Sequence, residues 1–211
     1  MIVKEILSSA EAIRLEDEYG AHNYHPLPVV LSKGDGVFVW DVEGNKYYDF
    51  LSAYSAVNQG HCHPKIIDAM VNQAKTLTLT SRAFYNDVLG KYEKYATSFF
   101  GYDKLLPMNT GAEAVETALK LCRKWAYEVK GIQENDAQII VCENNFHGRT
   151  TTIISFSNDP VAKTNFGPYT SGFIKIEYDN LFALEKALDS NSNVAGFLVE
   201  PIQGEAGVYV P

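Results

Sequence analysis

Three short segments in the second half of the chain read as buried strands: AQIIVCEN at 137–144, FIKIEY at 173–178 and NVAGFLVEP at 193–201, the last a near-continuous apolar run. A strand with one face in water alternates apolar and polar residues, so runs like these imply burial on both faces. Helical patterns lie between and before them. Strand, helix and strand in that order imply an α/β domain with a parallel or mixed sheet covered by helices. TTIISFS at 151–157 reads as a further strand. At 211 residues and 46% hydrophobic, the chain can build one large domain, or one plus a small appendage.

The clearest helix spans Glu113 to Lys130, with Val115, Ala118, Leu119, Cys122, Ala126 and Val129 on one face and Gly131 as its stop. Leu181 to Leu188 is helical, and a helix is expected over Asn86 to Phe99. Another opens at Pro64, with Ile66, Ile67, Met70, Val71 and Ala74 at helical spacing. Near the N-terminus, Ser8 or Ser9 caps a helix over Ala10 to Tyr19, and AHNYHPLPVV reads as extended loop. The segment from Gly34 to Ser55 reads as a hairpin turning at Glu43-Gly44-Asn45, an antiparallel appendage distinct from the parallel sheet. The expected division is therefore an N-terminal segment with a small hairpin, 1–55, and a larger α/β domain beginning at 56.

Charge narrows the partners. With 18 basic and 26 acidic residues the chain carries −8, which argues against nucleic-acid binding, since that needs a basic face. Cys62, Cys122 and Cys142 are widely spaced, and only His61 and His63 beside Cys62 come near metal-ligand spacing, too few for a zinc site. Free thiols and no metal are expected. No run approaches the roughly 20 apolar residues of a membrane span. The first residues lack a signal-peptide pattern, and acidic residues from Glu5 onward fit a mitochondrial presequence poorly, so a cytoplasmic location is expected.

Several loops have the residue types of a ligand site, each with a plainer reading beside it. Asn109-Thr110-Gly111-Ala112-Glu113 precedes the long helix, where unpaired first-turn N–H groups and a glycine make an anion seat suited to a phosphate. Capping and tight turning would explain the same residues. Asn144 to Arg149 follow a buried strand at its C-terminal end, the ligand edge of α/β sheets. Phe146 or His147 could stack on a flat ring there, and Arg149 could grip a carboxylate through two hydrogen bonds. Equally, the loop could turn, Phe146 pack and Arg149 pair with a surface acid. Glu200 ends the last apolar strand, with Glu205 five residues on, placed for a cationic group or for structural pairing. Tyr24 and Tyr54 lie in loops where aromatics can line a pocket, although a chain with 13 tyrosines places some there by chance. His61 and His63 read as structural.

These residues also carry a resemblance covering almost all of the chain. GAHNYHPLPVVLSKGDGVFVWDVEGNKYYDFLSAYSAVNQGHCHP, MNTGAEAVETALKLCRKWAYEVKG, NNFHGRT and VEPIQGEAGVYVP resemble the class III aminotransferases of pyridoxal-phosphate fold type I. MNTGAEA and EPIQGE mark the wider family, while SAYSAVNQGHCHP and NNFHGRT point to ornithine as the amino donor. N-acetylornithine and 4-aminobutyrate are the alternatives within the family.

The resemblance implies a fold type I protein using pyridoxal 5'-phosphate, of which this chain provides the N-terminal segment and the first half of the large mixed-sheet domain. It implies transfer of the ornithine δ-amino group to 2-oxoglutarate by a homodimer, giving glutamate semialdehyde and glutamate. Residue by residue, Gly111 and Ala112 correspond to the loop holding the cofactor phosphate, Phe146 to the aromatic on the pyridine ring, and His147 and Glu200 to cofactor neighbours. Arg149 corresponds to the carboxylate-binding arginine, Tyr24 and Tyr54 to pocket tyrosines, and Glu205 to a glutamate that pairs with a distant arginine. The TTIISFSNDP stretch is more polar than the family pattern. The cofactor-linking lysine, the aspartate at the pyridine nitrogen, a phosphate-binding threonine and the switch arginine belong beyond Pro211, so no catalytic residue is assigned to Lys120, Lys124 or Lys130, and the 211 residues alone are expected to be inactive.

Overall fold

The computed structural model describes residues 8–205 and 207–211. Residues 1–7, read above for targeting signals, lie outside that range, as does Ala206 of the EPIQGEAG motif. The chain divides into two compact units, Met1–Lys91 and Tyr92–Pro211.

In the first unit, α1 (Ser9–Tyr19) is capped by Ser8, whose side chain accepts from the Glu11 N–H. Three strands follow, β1 (Leu31–Asp35), β2 (Phe38–Asp41) and β3 (Lys46–Tyr48), paired antiparallel in the order β1-β2-β3. The expected hairpin is β2–β3. The added strand, β1, pairs with β2 through the Gly34–Val39 and Asp35–Phe38 positions, beyond the prolines that keep the preceding stretch extended. Asp41 fixes the β2–β3 turn from a buried position, accepting from the Asn45 N–H at 2.7 Å, Asn45 Nδ2 at 2.9 Å and the Tyr47 hydroxyl at 2.7 Å. Burial would push its carboxyl up, but these donors hold it below the usual range. Helix α2 (Pro64–Thr76) starts at the proline, and α3 (Leu89–Phe100) spans the boundary between the units. Asn86, expected inside α3, lies before it, and its Oδ1 accepts from the Leu89 N–H at 2.8 Å.

The second unit is a parallel three-stranded sheet. Strands β4 (Gln138–Cys142), β5 (Phe173–Ile176) and β6 (Val194–Leu198) run in the order β5-β4-β6, with β4 in the centre. Ile139 and Val141 pack with Leu119 of α4 (Gly111–Trp125) and with Ile153 and Phe156. Ile140 and Cys142 pack on the other face with Ala187 of α7 (Leu181–Ser190). Strand geometry sends successive side chains to opposite faces, and both faces are covered, so every residue from Ile139 to Cys142 is buried.

Two expectations are corrected. The long helix does not continue as α-helix to Lys130: it ends at Trp125 and passes into a π-helical turn, Ala126–Lys130, closed by Gly131 at φ 78°. The wider turn accompanies full burial of Ala126 and a 2.5 Å hydrogen bond from Lys130 Nζ to the Val194 carbonyl. TTIISFS is not a strand. Residues Thr151–Ser155 form α5, followed by α6 (Pro160–Lys163). The β-branched residues favour a strand locally, but β5 and β6 already occupy both edges of β4. As a helical turn, the segment buries Ile153 and Ile154.

Candidate active site

The site is built at the C-terminal edge of the parallel sheet, where α/β folds place ligands. Helix α4 opens with a complete capping box. Thr110 Oγ1 accepts from the Glu113 N–H at 3.1 Å, and Glu113 Oε2 accepts from the N–H groups of Asn109 at 2.9 Å and Thr110 at 3.2 Å. The Gly111 and Ala112 N–H groups have no acceptor among the described residues. A Cβ placed on Gly111 would meet nothing within 4 Å. Two open donors at a helix N-terminus with space above them can seat a phosphate.

The loop after β4 lies against this helix end. Gly148 sits at φ +124°, and a Cβ there would fall 3.0 Å from the Ala112 Cβ and 3.2 Å from Ile153 Cδ1. Only glycine fits both the backbone and the gap. Asn145 ties the loop down from a buried position, with Nδ2 donating to the Cys142 carbonyl at 2.6 Å and the Phe156 carbonyl at 3.3 Å. Thr150 Oγ1 donates to Glu116 Oε1 of α4 at 2.5 Å.

The loop so fixed carries Phe146, His147 and Arg149. The Phe146 ring is 41% exposed, with the Arg149 guanidinium carbon 5.6 Å from its centroid. The His147 ring meets Phe156 edge-on, and its Nε2 is buried with no hydrogen-bond partner among the described residues. Desolvation pushes the His147 pKa down while Glu200 pulls it partly back, so its ring is predominantly neutral at pH 7. A buried, partnerless polar atom beside an exposed aromatic face is the condition of a site completed by a polar, flat ligand.

Beyond β6, half-buried Glu200 accepts from the Phe146 N–H through Oε1 at 2.9 Å. Tyr178 donates to the Glu200 and Pro201 carbonyls at 3.1 and 3.0 Å. Buried Gln203 donates through Nε2 to the Glu143 carbonyl at 2.9 Å and pairs with Tyr209 through the backbone in both directions. Glu205 is exposed on the segment that Gln203 anchors.

Of the residues expected at a site, Gly111, Ala112, Phe146, His147, Arg149 and Glu200 are thus on segments that meet at one sheet edge. Tyr24 and Tyr54 belong to the first unit, where both are exposed. His61 Nε2 donates to Asp49 Oδ2 at 2.7 Å, and His63 precedes α2 with its Nδ1 buried and without a hydrogen-bond partner among the described residues. Sequence reasoning missed Gln203 and Tyr178, whose partners are distant in sequence, and named Asn145 only as part of the loop after β4. It also passed over Thr110 and Glu113 as a pair, although Thr-x-x-Glu before an apolar helix is a local signature. Among the described residues, no group of three or more His, Cys, Asp or Glu is placed to hold a metal ion, and no helix is long and apolar enough to cross a membrane.

An open helix N-terminus, an exposed aromatic ring and a carboxylate gathered at the C-terminal edge of a parallel sheet are the features with which α/β proteins hold flat phosphorylated ligands. The chain belongs to the class-III aminotransferase family, whose family model matches residues 19–211. It is 63% identical over 209 residues to an ornithine aminotransferase from Plasmodium falciparum, a match covering 99% of this chain and 50% of that protein. An ornithine aminotransferase structure from Toxoplasma gondii, with pyridoxal phosphate at partial occupancy in its active site, superposes with a TM-score of 0.96 at 53% identity, over 98% of this chain and 48% of that one. An acetylornithine aminotransferase structure from Elizabethkingia anophelis gives 0.82 at 62% identity, over 96% of this chain and 47% of that one. The chain spans about half the length of the curated relatives it matches. The fold is that of pyridoxal-phosphate fold type I, and the family's cofactor is pyridoxal phosphate.

Proposed function

We propose that this chain supplies the phosphate seat, ring-stacking face and carboxylate grip of an enzyme that transfers the δ-amino group of L-ornithine to 2-oxoglutarate, giving glutamate semialdehyde and glutamate. The observation that carries the reading is the close approach of Gly148 to Ala112, which sets the loop of Phe146, His147 and Arg149 against the start of α4, where the Gly111 and Ala112 N–H groups are open. Pyridoxal phosphate, when bound, supplies the electron sink for the reacting carbon. Gly111 and Ala112 hold its phosphate through backbone donors. Phe146 offers its ring face, and Glu200 fixes the Phe146 backbone. His147, neutral and buried at Nε2, is available as a hydrogen-bonding neighbour. Arg149 takes a substrate carboxylate; Glu205, and in the first unit Tyr24 and Tyr54, are proposed as substrate-binding residues. The active assembly is a homodimer.

The 211 residues alone are proposed to lack turnover. Lys130 is tied to the Val194 carbonyl at the N-terminal end of β6, away from the ligand edge. Lys120 and Lys124 line an open groove along α4 with Thr117, Leu121 and Tyr127. None is placed to serve the site as its amine.

Steady-state kinetics of the full-length protein test the reading. The expected result is a kcat/KM for ornithine far above those for N-acetylornithine and 4-aminobutyrate, with Arg149→Ala weakening carboxylate recognition and leaving the fold intact. Equal values for ornithine and N-acetylornithine would remove the donor assignment. Formation of glutamate and pyrroline-5-carboxylate by purified residues 1–211 above the free-cofactor background would overturn the claim of inactivity.

A further inference from the structure

Ser52, Ala53, Tyr54 and Ser55 occupy the left-handed region in succession, at φ 49°, 49°, 54° and 70°. None is glycine. L-residues enter this region singly, and runs are avoided because each Cβ crowds the following carbonyl oxygen. Such a conformation persists only where its surroundings over-determine it. Among the described residues, 53–56 are all exposed, and Tyr54 has no hydrogen bond or ring contact.

What holds the run is a clasp at its base. Asp49 Oδ1 accepts from the N–H groups of Ser52 at 2.8 Å and Leu51 at 3.1 Å, capping the first residue of the run. Asp49 Oδ2 accepts from His61 Nε2 at 2.7 Å, closing the excursion across its two ends. Both ends are bolted to the β1–β2 turn. The Asp49 N–H donates to the Val37 carbonyl at 2.9 Å, and His61 exchanges two backbone hydrogen bonds with Gly36, at 2.8 and 3.0 Å. The His61 ring lies so close to the backbone of β1 that a Cβ on Gly34 would sit 2.6 Å from its Cγ. At the far side, the Val57 N–H donates to the Ser52 carbonyl and the Ala56 N–H to the Ala53 carbonyl, at 3.0 and 3.2 Å.

We propose that Asp49 and His61 are positioning residues for Tyr54, holding residues 52–55 left-handed so that the phenol is presented to the amino-donor substrate. The inference rests on the reading of Tyr54 as a substrate-facing tyrosine. A run held in this conformation by contacts at both of its ends sets the direction of the side chains it carries. A right-handed turn through the same residues would point that ring elsewhere.

The test uses the full-length protein, with cofactor absorbance checked for each variant. Asp49→Asn and His61→Leu should each raise the KM for ornithine by about tenfold or more, with the KM for 2-oxoglutarate within about twofold of the parent. His61→Gln keeps an N–H donor and should behave close to the parent. Ala53→Gly removes the left-handed penalty at that residue, so it should restore much of the ornithine KM to Asp49→Asn. In a Tyr54→Phe background, Asp49→Asn should have little further effect, because both changes act through one group. If Tyr54→Phe leaves the ornithine KM unchanged, the substrate-tyrosine reading fails and takes this inference with it. If Tyr54→Phe raises that KM while Asp49→Asn and His61→Leu do not, only the positioning role is overturned. Equal losses toward both substrates, or no rescue by Ala53→Gly, would make the clasp merely structural.

Discussion

The Phe146 N–H donates to Glu200 Oε1 at 2.9 Å, so a side chain from the loop after β6 sets the backbone of the loop after β4, across 54 residues of sequence. Hydrogen bonds to a charged acceptor contribute about 1.5–3 kcal/mol, enough to hold a loop otherwise open to solvent. Glu200→Ala in the full-length protein should therefore weaken pyridoxal phosphate binding by about tenfold or more. Glu200→Gln keeps an oxygen acceptor for the loop and removes the charge that raises the His147 pKa. The His147 pKa should then fall further, read by NMR titration of its ring. A cofactor titration in which Glu200→Ala binds like the parent would show that the loop holds itself.

Phe146→Ala should loosen the cofactor and shift its absorbance, since an exposed ring beside Arg149 is lost from the site. The fold should survive, because Phe146 belongs to none of the buried clusters. Unchanged affinity in the full-length variant would make Phe146 a packing residue.

Thr110→Ala removes the side-chain half of the capping box on α4 and should cost about 1 kcal/mol of stability. Thr110→Ser retains the hydroxyl and should cost much less. Urea denaturation midpoints of the two variants, compared with the parent, measure this. Equal midpoints for Ala and Ser would mean that Glu113 alone caps the helix.

Asp49 gives a pH dependence whose sign follows from its contacts. The Ser52 N–H, and then the His61 ring, hold its carboxyl below the usual range. The folded state thus binds this proton less readily than the unfolded chain. The stability contributed is complete above the ordinary aspartate value of about 4 and is lost as pH falls through the folded value. The stability difference between the parent and Asp49→Asn should shrink on acidification from neutral pH to about pH 3. A difference that stays constant over that range would show that Asp49 has the same proton affinity folded and unfolded.

Much of the scaffold was legible locally. Ile139 to Cys142 announce a strand buried on both faces, Pro64 a helix start, Gly131 a helix stop, and Ser8 or Ser9 a cap, because each depends on the geometry of a few neighbouring residues. The glycine at 111 and the loop at 144–149 could be placed next to a strand end or helix start from sequence, which is why their site roles were open to inspection. By itself, the sequence determined the buried strands, most helix starts and stops, and which loops lie at strand ends and helix starts.

The tertiary structure decided the rest. TTIISFS had the residues of a strand and became a helical turn whose Ile153 packs with Leu119, Ile139 and Val141 on one face of the sheet. That Gly148 must be glycine depends on Ala112, 36 positions earlier, and that Gln203 matters depends on the Glu143 carbonyl, 60 positions away. The left-handed run at 52–55 contradicts every local preference of Ser, Ala and Tyr and is written instead in Asp49 and His61, on either side of it. Local preferences amount to a few tenths of a kcal/mol up to about 1 kcal/mol per residue. Long-range hydrogen bonds and buried contacts reach comparable or larger values. Where the two agree the sequence can be read directly, and where they conflict the packed structure decides.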